Sequence, residues 1–260
     1  MNDRQLGDLA LAAAELGSAA ILRELRNATI TVQDKAPEGA DYADVVTNAD
    51  KAAEDAILTA LLAVRPQDAV LAEESGARHG DSGLCWVVDP LDGTMNFVHG
   101  RRDYAVSVGA ERDQRPVAGA VVRPADGDWA FAAGDAGVGR DGPLRVSRPS
   151  GLGKAIVGLG MPRPSDERDR VHKFLGELLP QITDYRRGGS SACSLLDVAY
   201  GREDLCLSFG VSPWDVSGGA ALVHAAGGRA EWATTGSGLR LFVAGGPELV
   251  DQILEQLEGI

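Results

Sequence analysis

The sequence predicts a mixed α/β fold in two parts, and three observations predict it. Ala- and Leu-rich helical stretches open the chain, a run of strands with short connections follows, and the second half alternates strand with helix. The connector SRPSGLGK separates the parts near residue 148, giving expected units of 1–147 and 148–260. With 260 residues and 44% hydrophobic content, the chain is large enough to bury a full core.

Residues 5–25 carry apolar side chains at helical spacing, which predicts an amphipathic first helix. Pro37 and Gly39 break the polar stretch 35–44 into a loop. Thr47-Asn48-Ala49-Asp50 matches a capping box, so a second helix starts there and runs through Val64. Strands are expected at 69–72 and 84–88, then at 104–111, 117–123 and 128–132 as an antiparallel meander. Gly-rich polar text at 134–142 precedes a strand at 144–146. Beyond the connector, strands at 155–159, 182–186, 204–209 and 239–244 alternate with helices at 166–179, 191–200, 214–226 and 247–257. Pro247 suits the first turn of the last helix.

A net charge of −13 opposes attraction to nucleic-acid backbones and anionic lipid, so neither nucleic acid nor membrane is an expected partner. An acidic protein that handled a phosphate would need bound cations to offset repulsion. Cys85, Cys193 and Cys206 are odd in number and widely spaced, which predicts reduced core residues. The first residues lack a cationic lead into an apolar run, and no stretch reads as the roughly 20 apolar residues of a membrane span. A cytoplasmic location is the expectation.

The informative segment is WVVDPLDGTMNF at 86–97, where an apolar strand ends in two carboxylates, a glycine and a threonine. Asp89 falls at the carboxyl end of that strand, where ligands bind in layered sheets, and Pro90 keeps it extended. Asp92 lies one turn further, Gly93 leaves room for an approaching phosphate, and Thr94 adds a hydroxyl beside N–H groups at a helix start. Taken alone, DPLD also fits a turn with solvated carboxylates. Glu73 and Glu74 in LAEES also fit a charged loop, Asp215 after Trp214 also fits a helix dipole, and Asp50 is accounted for by its capping box. Several acidic sites at strand and helix ends nevertheless suggest that they converge. His79, His99, His172 and His224 show no ligand spacing and take no catalytic role.

AEES, DPLDGTMNF and PWDVSGGAALVHAAGG, in this order and spacing, resemble the inositol monophosphatase family over nearly the whole chain. The resemblance implies a two-domain, five-layered αβαβα sandwich and a phosphoric monoester hydrolase. It implies two to three Mg²⁺ ions, with Mn²⁺ as a substitute. Glu73, Asp89 and the Leu91 carbonyl would hold one ion, Asp89, Asp92 and Asp215 a second, and Glu73 a third, looser one. Asp50 and Thr94 would orient and activate the attacking water, and the N–H groups of Gly93 and Thr94 would receive phosphate oxygens. Gly189, Ser190 and Ser191 would line the substrate pocket with Arg186 beside them. Hard carboxylate oxygens suit Mg²⁺. The resemblance further implies a homodimer and inhibition by Li⁺.

One departure concerns Ser208, seven residues before Asp215, where many members carry a glutamate that binds inositol hydroxyls. The leaving alcohol is therefore less defined than the reaction. Inositol monophosphate or a related sugar or cyclitol phosphate leads. Fructose 1,6-bisphosphate, histidinol phosphate and 3′-phosphoadenosine phosphate are alternatives, with Arg186 and Arg187 as a second anion site for a bisphosphate. Lys35 is a weak match for a basic residue of the family. A phosphoaspartyl enzyme would place one residue between its two aspartates, whereas two intervene here. A noncatalytic interaction protein that keeps the fold is the reading from a different class.

Overall fold

The structure is a computed structural model describing residues 1–27, 30–163, 165–235 and 238–257. The chain opens with α1 (Asp3–Arg26), whose Asn2 side chain caps the first turn. Two short strands, β1 (Val32–Asp34) and β2 (Val45–Thr47), pair antiparallel and pin the base of the 35–44 loop. Helix α2 (Asn48–Val64) starts on the predicted capping box, with Thr47 and Asp50 exchanging hydrogen bonds. Strands β3 (Ala69–Ala72), β4 (Gly76–Arg78) and β5 (Cys85–Asp92) follow, and then the short helix α3 (Thr94–Val98). The meander consists of β6 (Ala105–Arg112), β7 (Arg115–Arg123), β8 (Asp128–Ala133), β9 (Ala136–Gly139) and β10 (Gly142–Pro143). Strands β3 to β10 form one eight-stranded sheet in the order β10-β9-β8-β7-β6-β5-β3-β4.

The second half contributes β11 (Ile156–Gly160), α4 (Ser165–Leu178), β12 (Asp184–Arg186), α5 (Ser191–Ala199) and β13 (Leu205–Phe209). It ends with α6 (Pro213–Ala225), β14 (Arg229–Thr234), β15 (Arg240–Gly245) and α7 (Pro247–Leu257). Its five-stranded sheet runs β12-β11-β13-β15-β14, parallel around β11 and antiparallel beyond β13.

Three apolar clusters stack these parts. One face of the large sheet (Trp86, Val88, Val106, Val108) packs on α1 and α2. Its other face (Val121, Ala130, Ala132) packs on α5 and α6, which in turn cover Cys206, Phe242 and Ala244 of the small sheet. The outer face of the small sheet (Val157, Leu159, Leu205, Leu207) packs on α4 and α7. The layers therefore run αβαβα, as the resemblance implied. Tight seating of α6 depends on its glycines, because a Cβ on Gly218 would stand 2.6 Å from Ser107 Oγ and 3.0 Å from the Ala120 carbonyl. That close approach carries the first turn of α6 to the end of β5.

Four differences from the expectation have physical causes. The segment 144–146 alternates buried Leu144, exposed Arg145 and buried Val146 as a strand would, but joins no ladder. Its N–H groups donate to the carbonyls of Gly137, Ala199 and Ala226, so Arg145 and Val146 satisfy the chain at the C-terminal ends of α5 and α6. The strand expected at 84–88 continues to Asp92 through a break in register. Strands β1, β2, β4, β9 and β10 are too short to show a period, and β14 (RAEWAT) lacks β-branched residues until its end. Helix α1, at 24 residues, is also long and apolar enough to cross a membrane. Its Leu6, Ala10, Ala13, Ala14 and Ile21 are buried in the core against the large sheet, so it serves here as a core helix.

Candidate metal centre and cavity

Asp89 and Asp92 are three residues apart, and in a regular strand with period two they would point to opposite faces. The pairing partners resolve this: Asp89 faces Ser107 and Asp92 faces Ala105, so three steps on β5 span two on β6. The extra residue falls at Pro90-Leu91, where proline has no N–H to give the ladder. This bulge turns both carboxylates to one side. Asp215, third residue of the α6 capping box, reaches the same place, with its Oδ2 accepting the Ser212 N–H at 2.5 Å. Ligand oxygens of Asp89, Asp92 and Asp215 all lie within 4.8 Å of one another.

The electrostatics of this trio are unfavourable for protein alone. Burial, and then the charges of Glu73, Asp92 and Asp215, push Asp89 well above the usual carboxylate range. Burial and Asp215 raise Asp92 to about 7, against hydrogen bonds from Ser190 and the Ala192 N–H. Burial leads again for Asp215, raised to about 6. Asp92 Oδ2 accepts both the Ser190 hydroxyl and the Ala192 N–H at 2.6 Å, while Asp89 Oδ1 accepts the Leu91 N–H at 3.0 Å. Asp89 Oδ2 is buried with no hydrogen-bond partner. An orphaned carboxylate oxygen among three acids, with the Leu91 carbonyl nearby and no thiolate or imidazole in the set, fits a hard divalent cation.

Glu73 stands outside that trio. Its carboxylate accepts from Lys35 Nζ at 2.6 Å, and Glu74 accepts from the same ammonium at 2.9 Å. Burial alone would lower the Lys35 pKa, but the hydrogen bonds and charges of Glu73 and Glu74 outweigh it and hold the group above its usual value. Sequence reasoning gave Lys35 little weight and missed Glu54 altogether. Glu54 is buried on α2, four residues after Asp50, and accepts the N–H groups of Glu74 at 2.9 Å and Ser75 at 2.8 Å. The signal was available: Asp50 and Glu54 share one helix face with Ala53 and Ile57, an apolar stripe where two acids need partners.

Asp50 is fully buried beneath the cavity wall. Its Oδ2 accepts the Thr47 N–H and hydroxyl at 2.9 and 2.5 Å, and its Oδ1 faces Thr94 Oγ1 at 3.0 Å. Thr94 Oγ1 is equally 3.0 Å from the Leu91 carbonyl, so its single proton has two acceptors. Burial raises the Asp50 pKa against the hydrogen bonds from Thr47 and Thr94. Gly93, between Asp92 and Thr94, has φ 94°, and a Cβ there would meet the Asp103 carbonyl at 2.8 Å. Gly93→Ala is therefore expected to lower stability by about 1–3 kcal/mol, read from the midpoint of urea unfolding.

Glu73, Asp89, Leu91, Asp92, Gly93, Thr94 and Asp215 line one open cavity of about 1300 Å³. Arg186, Gly189, Ser190, Ser191 and Ser208 line it as well. Asn96 holds the α3 side to the 188–190 turn by donating to the carbonyls of Asp103 at 2.7 Å and Gly188 at 2.8 Å. Arg186 is exposed and pairs with Asp184 at 2.6 Å, and Ser191 Oγ lies 3.2 Å from Ser208 Oγ.

Residues 2–252 match the inositol monophosphatase family. The chain is 36% identical over 229 residues to Nus factor SuhB of Pseudomonas aeruginosa, covering 85% of this chain and 83% of that protein. It is 40% identical over 190 residues to an inositol-1-monophosphatase of Mesorhizobium japonicum, covering 71% of each. The crystal structure of the extragenic suppressor protein SuhB from Bartonella henselae superposes with a TM-score of 0.87 at 28% identity, over 98% of both chains. A match over nearly the full length, on a fold with the same layers and a cluster of acids at its centre, places this chain in the inositol monophosphatase family.

Proposed function

We propose that this chain hydrolyses a small phosphate monoester by direct attack of water in a Mg²⁺-dependent reaction, with inositol monophosphate or a related sugar or cyclitol phosphate as substrate. The observation that carries the reading is the meeting of Asp89 and Asp92 of β5 with Asp215 of α6 in one cavity, with an unsatisfied oxygen among them. Asp89, Asp92 and Asp215 would hold one Mg²⁺, and Glu73, Asp89 and the Leu91 carbonyl a second. A third, looser ion at Glu73 would compete with Lys35 for the same carboxylate. Bound cations supply positive charge that favours ionisation of the attacking water and offsets charge on the leaving oxygen.

The chain's own groups do the rest. With its proton directed to Asp50, Thr94 Oγ1 presents a lone pair that accepts a proton from water, and Asp50, its affinity for protons raised by burial, is the next acceptor. The N–H groups of Gly93 and Thr94 receive phosphate oxygens. The Ser190 hydroxyl is committed to Asp92, so Ser190 acts by orienting that carboxylate. Arg186, Gly189, Ser191 and Ser208 face the leaving group. Residues 1–147 supply every proposed cation ligand except Asp215, which comes from 148–260. A homodimer, Li⁺ inhibition and a cytoplasmic location belong to this same reading.

The relatives named Nus factor SuhB support a second reading, in which the fold acts through contacts with other macromolecules. A phosphate-release panel separates the two. Inositol 1-phosphate, fructose 1,6-bisphosphate, histidinol phosphate and 3′-phosphoadenosine phosphate are each offered with Mg²⁺, with and without Li⁺. Turnover of the first, suppressed by EDTA, is the expected result. No release from any of the four would leave the second reading standing alone.

A further inference from the structure

The cavity is lined by more than the acid trio, and its lining includes a carboxylate, Glu203, that no step above uses. Strand β11 sends Val157 and Leu159 to the outer core, so by alternation Gly158 and Gly160 face the opposite side, toward Ser194 of α5 and Ser208 of β13. Both lack a side chain where neighbours crowd in. A Cβ on Gly158 would lie 1.9 Å from Ser194 Oγ and 2.2 Å from Glu203 Oε2, and one on Gly160 would lie 3.0 Å from Ser208 Oγ. The space left by these glycines is filled by a row of polar groups. Ser191 Oγ lies 3.2 Å from Ser208 Oγ, Ser208 Oγ lies 3.3 Å from Cys206 Sγ, and Ser194 Oγ donates to Glu203 Oε2 at 2.5 Å. Ser191, Ser194, Glu203 and Ser208 all line the same cavity as Asp89 and Asp92.

Glu203 differs from three other acids that line the cavity. Asp197 is paired with Arg123, Glu73 with Lys35, and Asp92 accepts two hydrogen bonds. Glu203 accepts from Ser194 alone, forms no ion pair among the described residues, and leaves Oε1 with no partner among them. Burial raises its pKa to about 7, against the Ser194 hydrogen bond; the charge of Asp197 adds to the rise, and those of Arg123 and Arg186 oppose it. A carboxylate with a free oxygen, flanked by serine hydroxyls that both donate and accept, matches a ligand that carries several hydroxyls.

Resting on the phosphatase reading, we infer that Glu203 is a specificity-determining residue that accepts hydrogen bonds from hydroxyls of a polyol leaving group, with Ser191, Ser194 and Ser208 completing the subsite. The test compares two esters in the wild type and in Glu203→Gln, which keeps the acceptor for Ser194 but removes the charge. Inositol 1-phosphate carries the hydroxyls, and phenyl phosphate carries none. The expected result is a fall in kcat/KM for inositol 1-phosphate of roughly tenfold to a hundredfold, expressed mainly in KM, with phenyl phosphate little changed. Gly158→Ala, which displaces Glu203 and Ser194, should move the same ratio in the same direction. Equal effects of Glu203→Gln on both esters, or no effect on either, would overturn the assignment while the phosphatase reading stands. Failure of the wild type to release phosphate from either ester would overturn both.

Discussion

Asp89→Asn is expected to reduce Mg²⁺-dependent phosphate release by on the order of a thousandfold, the upper end for removing one preorganised charged group from a reaction centre. Asp89 is the member of the trio that both proposed cation sites share. Its Oδ1 is tied to the Leu91 N–H and its buried Oδ2 accepts no hydrogen bond, so an amide of the same shape keeps the first contact and loses the negative charge. The same substitution should stabilise the metal-free protein, because it removes a charge from a site where burial and three acids oppose it. A rise in the metal-free melting temperature of about 2–4 °C per kcal/mol relieved is the scale to look for. Lost turnover with a raised melting temperature separates a functional acid from a structural one. Wild-type turnover in the variant would refute the site.

Stability of the metal-free protein should fall as pH rises, and Mg²⁺ should reverse the fall. Asp92 is raised from 3.8 to about 7, and Asp215 from 3.8 to about 6. Each keeps its proton in the fold at a pH where the unfolded chain has released it. The stability tied to that proton is complete below about pH 4 and is lost as pH climbs through the folded values of about 6 and about 7. Cations compete with these protons, so the shift in melting temperature on adding Mg²⁺ should be larger at pH 8 than at pH 5.5. Thermal melts at both pH values, with EDTA or Mg²⁺, measure all four states. Asp92→Asn should flatten the pH dependence. A larger Mg²⁺ shift at pH 5.5 would contradict the linkage.

The parts of this site that local chemistry dictates could be read from the chain. Thr47 to Asp50 is a capping box in sequence and in space, the second helix begins where that motif says, and the order of elements in the second half implied a sheet layered with helices, while the full αβαβα layering came from the family resemblance. What could not be read depends on partners distant in sequence. The bulge at Pro90-Leu91 exists because β6 stays in register while β5 does not, and nothing in DPLD alone specifies that Asp89 and Asp92 end on one face. Lys35 sits in a loop without period, and its engagement with Glu73 and Glu74 depends on the β1–β2 pairing that brings residue 35 across 38 positions of chain. Residues 144–146 have the alternation of a strand, yet the acceptors they meet are helix ends.

Asp50 and Asp215 each sit at the third position of a capping box, so each fastens the beginning of a helix whether or not any reaction takes place. A descendant that gave up turnover for another occupation would still need both acids to start α2 and α6, with a penalty of around 1 kcal/mol for losing either cap. Selection for folding would thus keep these two acids in lineages that no longer turn over substrate. Drift would show first at acids with no such second duty, of which Asp89 is the clearest.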